Sequence, residues 1–198
     1  MMLRKHLFKN DTAVEMIPIR MLISIGVIAA ISVLIAVGYQ NISISIAENQ
    51  LKNDFNALQS QLYLMVTSGV PRDVYDTGLG EGTKRIQTFI VPDSIQYLGF
   101  GCDPDPDNNG VVDSPSLLED GAVFVFKVAG GSKQVLWLPK DQIRFREGIY
   151  NTLFGRWDIN TPDQGYMITS GGKTKIVCEL VKRSDEMFVL IQATDNFS

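Results

Sequence analysis

The chain has 198 residues, 45% of them hydrophobic and 20% charged, and its 18 Lys and Arg against 22 Asp and Glu give a net charge of −4. That apolar share is too high and that charge too low for a disordered chain, and the acidic balance has the wrong sign for a nucleic-acid binder, which needs a basic patch. The one histidine is His6, so a domain built from the rest of the chain has no histidine for acid–base or nucleophilic work. Carboxylates are plentiful, but no pair stands out by context as a hydrolase dyad, and the chain is expected not to be an enzyme.

Residues 1–20 form a basic leader carrying Arg4, Lys5, Lys9 and Arg20. Residues 21–39, MLISIGVIAAISVLIAVGY, hold no charge. A helix of that length spans about 28 Å, close to the hydrocarbon thickness of a bilayer. The next basic residue after Arg20 is Lys52, so the positive-inside rule expects a cytoplasmic N-terminus, one pass through the cell membrane and an extracellular C-terminal part. Arg20 can snorkel to the headgroups. The competing readings are a buried core helix, for which the run is too long and too apolar, and a cleaved secretory signal, whose apolar region is normally shorter.

The stretch Phe8-Lys9-Asn10-Asp11-Thr12-Ala13-Val14-Glu15-Met16-Ile17-Pro18-Ile19, followed by the long apolar helix, resembles the N-terminus of archaeal type IV pilin-like proteins over about residues 8–40. Ala13-Val14 match the usual start of the mature helix, while Asp11-Thr12 stand where the family carries a basic and then a small residue. The resemblance implies removal of the leader on the cytoplasmic side, a helix kept for packing in a filament core, and a β-rich head. Cleavage after Asn10 would make Glu15 the fifth residue, placed to pair with a neighbour's free N-terminus. Without cleavage the same segment is a plain membrane anchor, with Glu15 among the cytoplasmic headgroups.

Residues 40–70 read as a helical stalk. No Pro or Gly interrupts 40–68, and Leu51, Phe55, Leu58, Leu62 and Met65 recur at alternating spacings of 4 and 3, a one-faced stripe. Gly69 and Pro71 end it. The stripe either packs on the protein's own outer domain or continues an association with neighbouring copies.

Residues 71–198 are expected to form one extracytoplasmic β-domain, antiparallel throughout, as a sandwich or partly open barrel, which makes the chain α+β. Short β-like runs alternate with turn signals: 85–91, 94–100, 122–129, 134–138, 142–145, 165–169, 173–181 and 187–193. Gly130-Gly131 and Ser170-Gly171-Gly172 stand at hairpin spacing, and 182–186 is a polar connection.

Cys102 and Cys178 both fall in this domain, where a disulfide is chemically permitted. It would close a loop of about 77 residues, worth roughly 4 kcal/mol in the chain-entropy picture. Cys178 also shares a strand face with Ile176 and Leu180, which fits an unpaired core thiol.

The strongest local chemical signal is Asp103-Pro-Asp105-Pro-Asp107-Asn108-Asn109-Gly110-Val111-Val112-Asp113. From Asp105 onward it resembles the first nine positions of a calcium loop. Asp105, Asp107 and Asn109 would give side-chain oxygens, Gly110 the sharp turn, Val111 its carbonyl, and Asp113 the ninth position. The twelfth position is Ser116, without the bidentate Glu, so the calcium expected here is structural and weakly held. The competing reading is a surface loop whose Asp and Asn serve turn geometry.

Trp137, Phe145, Tyr150, Phe154 and Trp157 make either an aromatic binding surface or core. Asn41-Ile-Ser43 and Asn196-Phe-Ser198 match glycosylation acceptors. The reading as a whole is a non-enzymatic structural or adhesive surface protein, pilin-like, held by membrane lipid or assembled as a homo-oligomer or filament through its N-terminal helix. The alternative is a monomeric anchored binding module with a calcium-stabilised loop.

Overall fold

The computed structural model describes residues 11–193 apart from Thr77, Leu79 and Lys140, with side chains on α1 described from Pro18 apart from Gln40, and on β10 up to Gln192. His6, the first ten residues of the leader and the Asn196 acceptor lie outside the described residues. Contacts divide the chain into two compact units, Met1–Ser43 and Ile44–Ser198.

The helix α1 runs from Asp11 to Ser68. Within the first unit every residue from Pro18 to Val37 is exposed. A helix that is apolar on all sides needs an apolar surround, and this one is long and apolar enough to cross a membrane. At the other end the Gly69 N–H donates to the Met65 carbonyl at 2.8 Å and Pro71 follows, which closes the helix as its sequence predicts.

The second unit holds residues 44–68 of α1 and ten strands: β1 (Arg72–Asp73), β2 (Lys84–Val91), β3 (Ile95–Phe100), β4 (Val123–Val128), β5 (Gln134–Trp137), β6 (Phe145–Asn151), β7 (Arg156–Ile159), β8 (Tyr166–Ile168), β9 (Gly172–Arg183) and β10 (Glu186–Ala193). They form two sheets. One has the order β1-β9-β10-β6-β7, with β2 also paired to β9; the other is β5-β4-β3-β8. The chain is thus α+β, one long apolar N-terminal helix followed by a β-rich unit.

Alternation builds the core. On β4, Phe124, Phe126 and Val128 point to one side and Val123 and Val125 to the other; on β10, Val189 and Ile191 oppose Phe188 and Leu190. The inward residues of both sheets join Leu51, Phe55, Leu58, Leu62 and Met65 of α1 in one cluster, with those five at most 1% exposed. The stripe therefore packs on its own domain. The expectation that Leu51, Phe55, Leu58 and Leu62 continue a contact with other copies is corrected, because their surface is already spent. The polar residues beside the stripe have a second task. Gln50 Nε2 donates to the Ile90 carbonyl at 3.4 Å, Asp54 accepts the Ile90 N–H, and Gln61 Nε2 reaches Gln87 Oε1 at 3.3 Å. These bonds occupy polar groups along β2, the kind of strand edge that otherwise recruits other chains.

Four expectations need correction. Pairing is mostly antiparallel, but β1 with β9 and β10 with β6 are parallel. The run expected at 142–145 is a strand only from Phe145, and it continues to Asn151. Ser170-Gly171-Gly172 is no hairpin turn, since β8 and β9 lie in different sheets and the chain crosses between them there. Cys102 and Cys178 are unbridged and buried. Cys178 sits in β9 within the core, whereas Cys102 follows β3 of the other sheet, bridges in backbone to Leu117, and turns its Sγ to the Tyr166 carbonyl at 3.7 Å. Burial pushes both thiols up to about 12.

Candidate functional site

The acidic loop follows β3. Asn108 and Gly110 adopt positive φ, 58° and 84°, the left-handed conformations that Asn and Gly tolerate best. Asp107 Oδ1 accepts the Asn109 N–H, and Asn109 Oδ1 accepts the Val111 N–H at 2.6 Å, two local turns of the kind Asp and Asn make. The Asp113 N–H donates to the Pro104 carbonyl at 2.7 Å. Of the five residues read as ligands, Asp105 is fully buried, while Asp107, Asn109, Val111 and Asp113 are exposed.

Positive charge reaches this loop from the protein itself. Lys127 Nζ on β4 lies 3.7 Å from Asp105 Oδ2. Lys133 Nζ donates to Asp103 Oδ2 at 2.8 Å and to the Asp105 carbonyl at 2.6 Å. The Gly110 N–H reaches both Asp105 carboxylate oxygens at 3.3 Å. Among the described residues no three His, Cys, Asp or Glu side chains converge as a metal site. Leu118, just beyond the loop, packs with Tyr97, Val123 and Val125 on the outer face of the second sheet. Burial, reinforced by Asp105 and Asp103, pushes the Tyr97 phenol well above its ordinary value.

A cleft of about 300 Å³ opens on the first sheet. Its floor is charged and buried. Arg72, Glu179 and Gln192 come from β1, β9 and β10 and are 7%, 2% and 4% exposed. Glu179 Oε1 accepts Arg72 Nε at 2.8 Å and the Gly82 N–H at 2.9 Å; Oε2 accepts Gln192 Nε2 at 2.6 Å and Arg72 Nη2 at 3.4 Å. Gly82 is required there, because a Cβ would run into the Leu180 carbonyl. Arg72 Nη2 also donates to the Trp157 carbonyl at 2.5 Å. Arg72 Nη1 makes no hydrogen bond among the described residues, its nearest counter-charge being Asp158 Oδ1 at 3.7 Å.

The walls are aromatic. Tyr150 and Trp157 meet edge to face at 5.6 Å across the β6–β7 hairpin, and the Arg156 guanidinium lies 5.4 Å from the Phe154 ring centre. Arg156 is tied to the opposite rim by bonds to the Val74 carbonyl, at 2.8 Å, and the Asp76 carbonyl. Of the five aromatics singled out in sequence, Tyr150, Phe154 and Trp157 come together here, Phe145 is core, and Trp137 is exposed beside Leu138. Sequence reading missed Arg72, Glu179 and Gln192.

No protein-family model, curated protein or solved structure matches this chain. The site's chemistry therefore rests on its own geometry: a buried guanidinium held between the Glu179 and Asp158 carboxylates, a Glu179 carboxylate whose oxygens are occupied by four donors, and aromatic faces open to solvent.

Proposed function

We propose that the chain is a non-enzymatic surface protein whose N-terminal helix crosses the cell membrane, with the basic end in the cytoplasm and the β-domain outside, and which assembles as a pilin-like subunit. The observation that carries this reading is the exposure of every residue from Pro18 to Val37, an apolar surface that a water-soluble chain does not leave uncovered. Lipid or the same helix of other copies supplies the cover. The domain is read as a sandwich of two sheets closed along one side by α1, supported by the single cluster to which all three contribute.

A second reading, a monomeric anchored binding module, is favoured by the charged aromatic cleft, which a purely structural subunit does not need. Intact-mass spectrometry and native sizing of the membrane-extracted protein separate the two. A mass short by a leader cut between Asn10 and Val14, with detergent-resistant assemblies, is the expected result. A full-length mass in a detergent-soluble monomer overturns the pilin-like reading and leaves the anchored module.

A further inference from the structure

The loop after β3 contains the one Asn-Gly pair of the sequence, Asn109-Gly110, and both residues are exposed. An asparagine side chain loses its amide when the backbone nitrogen of the next residue attacks its carbonyl carbon, and a glycine leaves that nitrogen unshielded. Nothing lies within 4 Å of the place a Cβ of Gly110 would take, so water reaches this peptide.

The loop also holds the reacting groups. Asn109 Oδ1 accepts the Val111 N–H at 2.6 Å, which folds the side chain back over the Gly110 peptide and sets a donor where attack would build negative charge. The Gly110 N–H points at the Asp105 carboxylate, 3.3 Å from each oxygen, so a base faces the proton that the nitrogen must lose. Asn109 Nδ2, the departing group, donates to Asp107 Oδ2 at 2.8 Å, which keeps the side chain in this pose. The other described asparagines lack this arrangement. Asn41, Asn49, Asn53 and Asn56 lie within α1, where the following N–H belongs to the helix ladder. Asn108, Asn151 and Asn160 precede Asn109, Thr152 and Thr161, whose side chains crowd the nitrogen.

We propose that Asn109 is a self-modification site, converted through a succinimide to aspartate and isoaspartate. The Gly110 nitrogen bonds to Asn109 Cγ and gives its proton to Asp105. The Cγ–Nδ2 bond breaks, and Nδ2 leaves as ammonia with a proton taken from water. A second water then opens the ring at either carbonyl. The loop gains one negative charge and exchanges the Asn109–Asp107 hydrogen bond for two carboxylates side by side. The inference is independent of the membrane topology and of assembly, so its failure leaves both readings of the previous subsection untouched.

The detergent-solubilised full chain, aged at physiological temperature and neutral pH and sampled by peptide mass spectrometry, provides the test, with a synthetic peptide of residues 103–113 aged beside it. Position 109 is expected to gain about 1 Da, the difference between an amide NH2 and a hydroxyl. Its loss of amide should be at least about threefold faster in the protein than in the peptide, because the reacting groups are already held together. Isoaspartate and aspartate should both form, and Asn151 and Asn160 should keep their amides. Gly110→Ala should slow the reaction at least about tenfold. That variant strains a positive φ, but the comparison with the peptide needs no variant. An amide that persists at position 109, a rate in the protein no higher than in the peptide, equal loss at Asn151 or Asn160, aspartate without isoaspartate, or an unchanged rate in Gly110→Ala would each overturn the proposal.

Discussion

The ring of Phe55 on α1 stacks on that of Phe124 on β4, with centroids 4.1 Å apart and planes 11° from parallel. Phe124 in turn meets Phe100 edge-on at 5.0 Å, and Phe100 meets Phe89 and Phe145. The helix thus enters the domain's aromatic core directly. Phe55→Ala is expected to lower unfolding free energy by about 3–5 kcal/mol, the range for deleting a buried aromatic. Tyr63→Ala, on the exposed side of the same helix, should stay within about 0.5 kcal/mol. Urea unfolding of the detergent-solubilised protein, followed by tryptophan fluorescence, measures both. Equal effects would mean that the helix does not pack as described.

Cys102 and Cys178 are fully buried, and burial pushes each thiol up to about 12, so neither offers thiolate at neutral pH. Native protein should leave both unmodified by a maleimide over hours, and denatured protein should take up two equivalents. Reduction should add no mass. A gain of two hydrogens would show that the bridge forms after all.

A charged network beside the first sheet is expected to set the acid limit of stability. Asp163 lies 2.6 Å from Arg183 Nη2 and 3.0 Å from Arg146 Nε. The bond from Arg183 foremost, with that from Arg146, outweighs burial and holds its carboxyl below the ordinary 3.8. Burial pushes Asp120 the other way, but bonds from Arg144 and Arg146 together hold it low as well. A carboxyl depressed in the folded state stabilises above its unfolded value, and that stability is lost as pH falls through the folded value. Urea midpoints should therefore hold from neutrality to about pH 4 and fall below it. Asp163→Asn should lower the neutral midpoint and flatten the acid slope. An unchanged slope would remove Asp163 from the account.

Lys127 and Lys133 already bring two positive charges to the 103–113 loop. Calcium at about 1 mM, the range that extracellular modules use, should leave the melting temperature unchanged. Lys133→Met should lower it, because Asp103 and the Asp105 carbonyl lose their donor. A calcium-dependent rise in the unsubstituted protein would show that the loop reorganises around the ion.

What was legible in the sequence follows from how far each signal travels along the chain. The apolar run at 21–39, the helical stripe from Leu51 to Met65 and strands such as β2, β4 and β10 declare themselves by local period. β6 hides because its buried positions include Arg146, whose charge is met by Asp120 and Asp163 from other loops, and because Gly148 breaks the pattern. β1 is two residues long and exists through its pairing with β9. The acidic loop was legible as a turn, but its lysine partners stand some twenty to thirty residues downstream with no motif to announce them. The cleft was legible only in its aromatics. Arg72, Glu179 and Gln192 meet by strand order, which local pattern does not encode.

In the proposed topology the helix from Pro18 onward crosses the membrane and leaves the β-domain outside. Leu153 lies at the tip of the β6–β7 hairpin and is 88% exposed, and the native thiols are buried, so Leu153→Cys gives a reporter with little background. Intact cells treated with a membrane-impermeant maleimide should label Leu153→Cys as fully as lysed cells do, and the labelled protein should stay in the membrane pellet after alkaline carbonate extraction. Labelling that requires lysis, or release by carbonate, would contradict the account.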